Sequence, residues 1–350
     1  MRLMEKHDLM YLRLVRVTAA MAIVILHTFS FFAASFETLQ LQRVVSYCVR
    51  NLQMFAVPCF VMVSGVLLLN PEKELTVRYI VSKYVLRVGL ALLFFSLIYY
   101  LYDHMIQGMP FSGKDIWAYL LQVYQNKSWS HMWYLYLILG IYLLLPLFRL
   151  AAKHASASEY RYFLVLFFAF LSVLATADFL FGIKTGFYIC VYSVYPLYLF
   201  LGDALHRKII AIPKWIAVLL FLLGLIGIPC ITCLQFSLQA DALGKLVSNY
   251  ASVLVVLFSL GAFLLLKDSR INRESAWGKL ISLTDKTTFG VYLIHMLFIR
   301  LYIDLIRWNP FSLGVVPGCL VVLLMALAFF VLSALLTYLL KKIPGIKIIL

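Results

Sequence analysis

The chain has 350 residues, of which 64% are apolar and only 13% are charged, and its mean hydropathy is +0.96. A soluble domain is about 45–50% apolar and about 25% charged, so this composition excludes a water-soluble globular protein, and its hydrophobicity excludes intrinsic disorder. The formal charge of +15 would suggest nucleic acid in a soluble protein. In a membrane protein it reports which loops stay in the cytosol, so we expect no nucleic-acid partner.

Ten long apolar runs predict ten transmembrane helices and no transmembrane strands, because the runs do not alternate apolar and polar residues. We therefore expect an all-α polytopic membrane protein, one bundle formed by a single domain over residues 1–350. The expected spans are 14–35, 51–70, 84–102, 133–150, 161–180, 185–203, 214–236, 248–267, 288–307 and 313–340.

The distribution of Lys and Arg sets the expected orientation. With the N-terminus inside, the inner segments hold 22 of these residues and the outer segments hold 8. Positive charge accumulates on the cytosolic side of membrane proteins. Both termini are therefore predicted to be cytosolic, with membrane lipids around the bundle.

The first span places a basic residue and a histidine on one stripe. Arg16 and His27 are eleven residues apart, so they lie about 20° apart around the helix and about 16 Å apart along it. Arg16 could hold an anionic part of a thioester donor at the cytosolic mouth, with Arg13 extending the basic stripe, and His27 could take a proton from an acceptor hydroxyl. Equally open is a structural interpretation, with His27 bonded to a neighbouring helix and Arg16 as an anchor.

The second and third spans add candidates for binding. Ser64-Gly65 near the end of the second span indicates close helix packing, and we also expect Ser64 to contact substrate. The third span follows a basic cluster that could grip the phosphates of a nucleotide-bearing donor or only mark the cytosolic side. The cluster consists of Lys73, Arg78, Lys83 and Arg87.

Two further spans begin with aromatic residues and a histidine. His131 and Trp133 open the fourth span at the outer face, and Tyr292 and His295 share a face of the ninth span. A lone membrane histidine often only packs, whereas three of them favour a substrate site. The Cys230…Cys233 spacing sits in an apolar helix without a second pair, so we expect no metal site.

Together these segments resemble the acyltransferase-3 family of integral-membrane acyltransferases. The resemblance rests on Arg16…His27, on Phe60…Ser64-Gly65, on His131-Met-Trp133-Tyr134-Leu with Tyr142…Pro146, and on Gly290-Val-Tyr292-Leu-Ile-His295. It covers spans one to four and nine, and spans five to eight match only in length and hydrophobicity. The chain is most similar to the short, single-domain bacterial branch that modifies enterobacterial common antigen and similar polysaccharides. One departure is Tyr84, which stands between Lys83 and Arg87 where a second arginine is common.

The resemblance implies transfer of an acyl group, usually acetyl from acetyl-CoA as donor substrate, to a hydroxyl of a cell-surface glycan or its lipid-linked precursor. It implies His27 and Arg16 as catalytic residues, donor contacts at Arg13, Arg78, Lys83 and Arg87, and a location in the bacterial inner membrane. A transporter or flippase that exports an acyl or glycan intermediate is the rival hypothesis, since ten helices with polar groups at mid-membrane depth also fit that class.

Overall fold

The computed structural model describes residues 9–110, 112–184, 186–187 and 191–350, and the regular structure of these residues is entirely helical. The helices are α1 (Met10–Ser35), α2 (Gln40–Leu52), α3 (Ala56–Leu68), α4 (Val77–Gln107), α5 (Gly113–Tyr124), α6 (Trp133–His154), α7 (Ala157–Phe181), α8 (Tyr195–His206), α9 (Lys214–Leu238), α10 (Asp241–Ser248), α11 (Val253–Lys267), α12 (Ala276–Asp285), α13 (Thr288–Ile306), α14 (Val315–Leu340) and α15 (Pro344–Ile349). Short π-helical turns interrupt α4 at Ile80–Val85, α7 at Ala169–Val173 and α13 at Tyr302–Ile306.

Nine helical stretches of the described chain are long and apolar enough to cross a membrane, which confirms the all-α polytopic fold. The expected span 185–203 is represented by α8, whose 12 residues are almost all buried. Such a helix is about 18 Å long and does not cross a hydrocarbon layer of about 30 Å alone. Residues 185 and 188–190 of that expected span lie outside the described residues.

The second span begins earlier than its apolar run predicts. The stretch Gln40–Leu68 is helical except for a break between α2 and α3, so the predicted start at residue 51 is wrong. The polar residues of α2 are tolerated at this depth because other helices satisfy them. The Asn51 amide donates to the Thr232 hydroxyl at 3.0 Å, and the Gln42 amide donates to the Phe311 carbonyl at 2.8 Å.

The beginning of α1 and the end of α14 lie on the same face of the bundle. Arg16, in the second turn of α1, pairs with Asp285 at the end of α12, while Lys341, directly after α14, donates to the carbonyl of the adjacent Lys286. This agrees with both termini facing the cytosol, although residues 1–8, with Arg2 and Lys6, lie outside the described part.

Helices α3 and α8 touch through their backbones. A Cβ on Gly65 would lie 1.9 Å from the Leu199 carbonyl oxygen, and one on Gly202 would lie 2.1 Å from the Met62 carbonyl oxygen. The small residue that the sequence placed after Ser64 thus permits the close approach. This contact fixes α3, which forms one wall of the site described next.

Candidate active site

A cavity of about 520 Å³ opens on the face of the bundle that carries Arg16 and Lys341, a volume within the usual range for small-molecule sites. Five cationic side chains line it against one carboxylate, Asp285. Its cationic residues are Arg16, Lys73, Arg87, Lys286 and Lys341. The excess positive charge suits a ligand that carries several negative charges, such as a nucleotide phosphate.

Arg16 is held at the cavity wall by a two-point ion pair. Its Nε donates to Asp285 Oδ1 at 2.6 Å and its Nη2 to Asp285 Oδ2 at 2.7 Å. The carboxylate lies at the C-terminal end of α12, where the helix dipole disfavours negative charge, so the guanidinium also offsets that cost. Arg16 therefore pairs with Asp285 and not with His27, which the helical rise places about 16 Å further along α1.

The cations expected to contact the donor do not all reach the cavity. Arg87 lines it, and its Nη2 donates to the Leu350 carbonyl oxygen at 2.5 Å. Lys83 instead donates to the Tyr79 hydroxyl at 2.7 Å and lies over that ring, within the π-helical turn. Arg78 is exposed and Arg13 is half-buried, and both lie outside the cavity lining.

Lys341 contributes a cation at the edge of the bundle. Burial and the neighbouring Arg87 lower the pKa of its ammonium from the ordinary value, while Asp285 acts in the opposite direction. An anion bound between Lys341 and Arg87 would relieve their mutual repulsion. We therefore expect these two residues to bind a phosphate group.

The inner end of the cavity is formed by Ser64, Tyr134 and Tyr292. The Ser64 hydroxyl donates to the Phe60 carbonyl one turn earlier at 2.9 Å, and the Tyr134 and Tyr292 rings meet edge to face with centroids 5.4 Å apart. Among the described residues, Arg16 lines the cavity and His27 does not, so the cavity itself does not join the two. Tyr292 lines the cavity on one side of this aromatic layer and contacts the ring of His295 on the other side.

Beyond the aromatic layer three histidines meet, one from α1, one from the 3₁₀ turn Ser130–Met132 directly before α6, and one from α13. We call them the histidine cluster (His27, His131 and His295). His27 Nδ1 lies 2.9 Å from His295 Nε2, and the two rings are nearly parallel with centroids 5.1 Å apart. The His131 ring lies 5.4 Å from that of His295 and 6.3 Å from that of His27. The sequence thus named all three members, and the fold brings them together.

His131 is 1% exposed, and within the described part of the chain neither of its ring nitrogens has a hydrogen-bond partner of regular geometry. The Leu293 carbonyl interacts with this ring and also accepts from the Tyr99 hydroxyl. Its own backbone carbonyl accepts from the Tyr292 hydroxyl. A buried polar group without a partner is costly, so this imidazole suits a group that enters with a substrate.

The outer side of the histidine cluster is aromatic and acidic. Trp129 stacks on Tyr99 with ring centroids 4.1 Å apart, and its Nε1 donates to Asp103 at 2.8 Å. Trp133, which the sequence grouped with His131, lies elsewhere, in contact with the rings of Tyr195 and Tyr250. Aromatic faces beside carboxylates are suited to sugar rings, which offer both apolar faces and hydroxyls.

Sequence reasoning missed several residues of the cavity. Asp285 carried a usable signal, since it is an isolated carboxylate in a basic segment directly before the ninth span. Lys286 and Lys341 enter the sequence analysis only through the number of Lys and Arg residues in the inner segments, which predicts orientation. Which of the many inner cations converge on one cavity depends on helix packing, and no spacing along the chain reports that.

Comparison with known proteins places these features in context. A family model described as an acyltransferase domain, Acyl_transf_3, matches residues 10–342. No curated protein and no solved structure matches the chain. The matched region contains the histidine cluster and all the cavity cations.

Proposed function

Since the chain belongs to the acyltransferase-3 family and is a multi-pass membrane acyltransferase, we propose that it moves an acetyl group from acetyl-CoA to a hydroxyl of a cell-surface polysaccharide or its lipid-linked precursor. The proposal includes a location in the bacterial inner membrane, with the cavity facing the cytosol. The observation that carries it is the sequence of contacts from a basic cavity, through Tyr292, to the hydrogen-bonded pair of His27 and His295.

The donor half of the reaction is assigned to the cavity. The phosphates of CoA would bind among Arg87, Lys341 and the other lining cations, and the thioester arm would extend toward Ser64 and Tyr292. Charge-assisted hydrogen bonds to phosphate are among the stronger polar contacts. The arm would have to pass the Tyr134–Tyr292 layer to reach His27, so these two rings would act as the gate.

The chemistry is assigned to the histidine cluster. His27 would remove the proton from the acceptor hydroxyl, the oxygen would form a bond to the thioester carbonyl carbon, and the C–S bond of the tetrahedral intermediate would break. The departing CoA thiolate would take the proton back from His27, so atoms and charge balance. His131, with both nitrogens unengaged, would hydrogen-bond the acceptor or the carbonyl oxygen on which negative charge develops.

The transporter hypothesis has no observation in its favour. The family match is to an acyltransferase domain, which favours transfer of an acyl group over transport. The acceptor would approach from the outer side, past Trp129 and Asp103.

Mass spectrometry of surface glycans from cells with and without the chain tests the proposal. We expect O-acetyl groups with the wild-type chain, their loss with His27→Gln, and their retention with His154→Gln, since His154 is an exposed histidine at the end of α6. Unchanged glycans in the absence of the chain would overturn the acceptor assignment. Equal acetylation by both variants at matched protein levels would overturn the role of His27.

A further inference from the structure

The hydrogen bonds of His295 determine where its own proton lies. His295 Nδ1 is 3.0 Å from the carbonyl oxygen of Val291, one turn earlier in α13. A carbonyl oxygen only accepts hydrogen bonds, so Nδ1 of His295 carries a hydrogen. The orientation of this ring is thus fixed within its own helix.

The second nitrogen of His295 is therefore an acceptor. The side chain is 0% exposed, and within the described residues its hydrogen bonds go to Val291 and His27, with no carboxylate among them. An imidazolium buried without a counter-ion is strongly disfavoured. A neutral ring with hydrogen on Nδ1 leaves the lone pair on Nε2, which points at His27.

His27 must then donate. Its Nδ1 lies 2.9 Å from His295 Nε2, and a hydrogen bond at that distance needs one donor. Since His295 Nε2 has no hydrogen, His27 Nδ1 supplies it. In a neutral ring this leaves the lone pair of His27 on Nε2.

From this chain of contacts we propose that His295 is a positioning residue, which selects the tautomer of His27 that carries hydrogen on Nδ1 and a lone pair on Nε2. The other member of the cluster does not serve this purpose, because His131 makes no hydrogen bond to either ring. What the selected tautomer is used for rests on the proposed function: a base needs its lone pair, and not an N–H, facing the acceptor hydroxyl.

The same contact orients His27 during the reaction. When Nε2 takes up the acceptor proton, the ring becomes an imidazolium whose Nδ1–H still points at His295. A neutral imidazole then receives a stronger hydrogen bond, a role that a carboxylate has in catalytic triads. His295 would thus affect the turnover step far more than donor binding, because it lies beyond the cavity lining.

Two amide substitutions at residue 295 separate this role from simple packing. His295→Gln places an amide oxygen near the position of Nε2 and can still accept from His27. His295→Asn reaches only the position of Nδ1, so it can bond Val291 but not His27. Both side chains are neutral and polar, so they form a matched pair.

Solid-state ¹⁵N NMR of histidine-labelled protein in lipid bilayers reads the tautomer directly. The chain has seven histidines, and the spectrum of His27→Gln identifies the signals of His27 by difference. We expect a protonated Nδ1 and an unprotonated Nε2 for His27 in the wild type and in His295→Gln, and a mixture of tautomers in His295→Asn. We also expect kcat of His295→Asn to fall by roughly 10²-fold, and to lie well below that of His295→Gln, with the KM for acetyl-CoA changed less than about threefold.

The NMR result distinguishes failure of the tautomer assignment of His27 from failure of the proposed function. Hydrogen on His27 Nε2 in the wild type, or a wild-type spectrum in His295→Asn, would overturn the inference even if the chain transfers acetyl groups. The expected spectra together with no acyl transfer by the wild type would overturn the proposed function and leave the tautomer assignment standing. Equal loss of kcat in both amide variants with unchanged spectra would also contradict a positioning role.

Discussion

The basic cavity and the histidine cluster are built on opposite principles, although only the Tyr134–Tyr292 layer separates them. The cavity reaches the surface, carries five cations against one carboxylate, and holds Arg16 by an ion pair. In the histidine cluster His131 and His295 are buried and His27 is half-buried, and the polar contacts are a few directed hydrogen bonds. The first region is therefore suited to binding charge, and the second to moving a proton in a water-poor environment.

If this division is correct, the largest loss should come from the histidine cluster. His27→Gln is expected to lower kcat for acyl transfer by about 10²–10⁴-fold, because a positioned general base is worth that much. The KM for acetyl-CoA should change little, since His27 lies outside the cavity lining. Steady-state kinetics on purified protein, with His154→Gln as control, check this, and a change confined to KM would contradict the division.

The cavity should show the reverse pattern. Arg87→Gln combined with Lys341→Gln is expected to raise the KM for acetyl-CoA by about 10–100-fold at low salt, with a smaller change in kcat, because two charge-assisted contacts to phosphate are lost. Lys83→Gln combined with Lys342→Gln is the matched control. Lys83 is close to Arg87 in the sequence and Lys342 follows Lys341, but both lysines lie outside the cavity lining. Equal effects of the two pairs would mean that general positive charge, rather than this cavity, attracts the donor.

The ion pair at the cavity wall should contribute to stability more than to chemistry. Asp285→Asn is expected to lower the free energy of unfolding by about 1–3 kcal/mol, since it leaves a partly buried guanidinium with a weaker partner. The double variant Arg16→Gln/Asp285→Asn should recover part of that loss. Thermal unfolding of the wild type, Asp285→Asn, Arg16→Gln and the double variant in the same detergent provides the cycle, and additive effects would show that the pair is not coupled.

The smallest effect is expected at the layer between the two regions. Tyr292→Phe keeps the ring against Tyr134 and removes only the hydroxyl that bonds the His131 carbonyl. We expect kcat to fall less than about tenfold, because the ring still separates the regions and one neutral hydrogen bond is worth about 1 kcal/mol. Stopped-flow turnover measurements would detect it, and a loss as large as that of His27→Gln would place Tyr292 in the reaction itself.

The sequence predicted the histidine cluster better than the cavity. The three histidines are conspicuous in the sequence because each is a polar residue in or beside an apolar run. Polar side chains within a membrane face the bundle interior and contact one another, so their meeting could be expected. The cavity cations belong to loops and helix ends that are all basic, so spacing cannot tell Lys341 from Lys342. Helix α2 could not be predicted either, because the polar residues of Gln40–Leu52 resemble a loop. Only the structure shows that Thr232 and Phe311 satisfy their hydrogen bonds.

Acyl transfer in sealed vesicles, with acetyl-CoA supplied on one side only, tests whether the donor enters through the basic cavity and reacts at the histidine cluster. The purified chain, reconstituted in one orientation with an acceptor glycan inside or outside, would receive labelled acetyl-CoA on one side only. We expect labelled acceptor when acetyl-CoA is added on the side of Arg16 and Lys341, and no labelled acceptor when it is added on the other side. We also expect no labelled acceptor with His27→Gln. Labelling from either side, or labelling that survives His27→Gln, would contradict it.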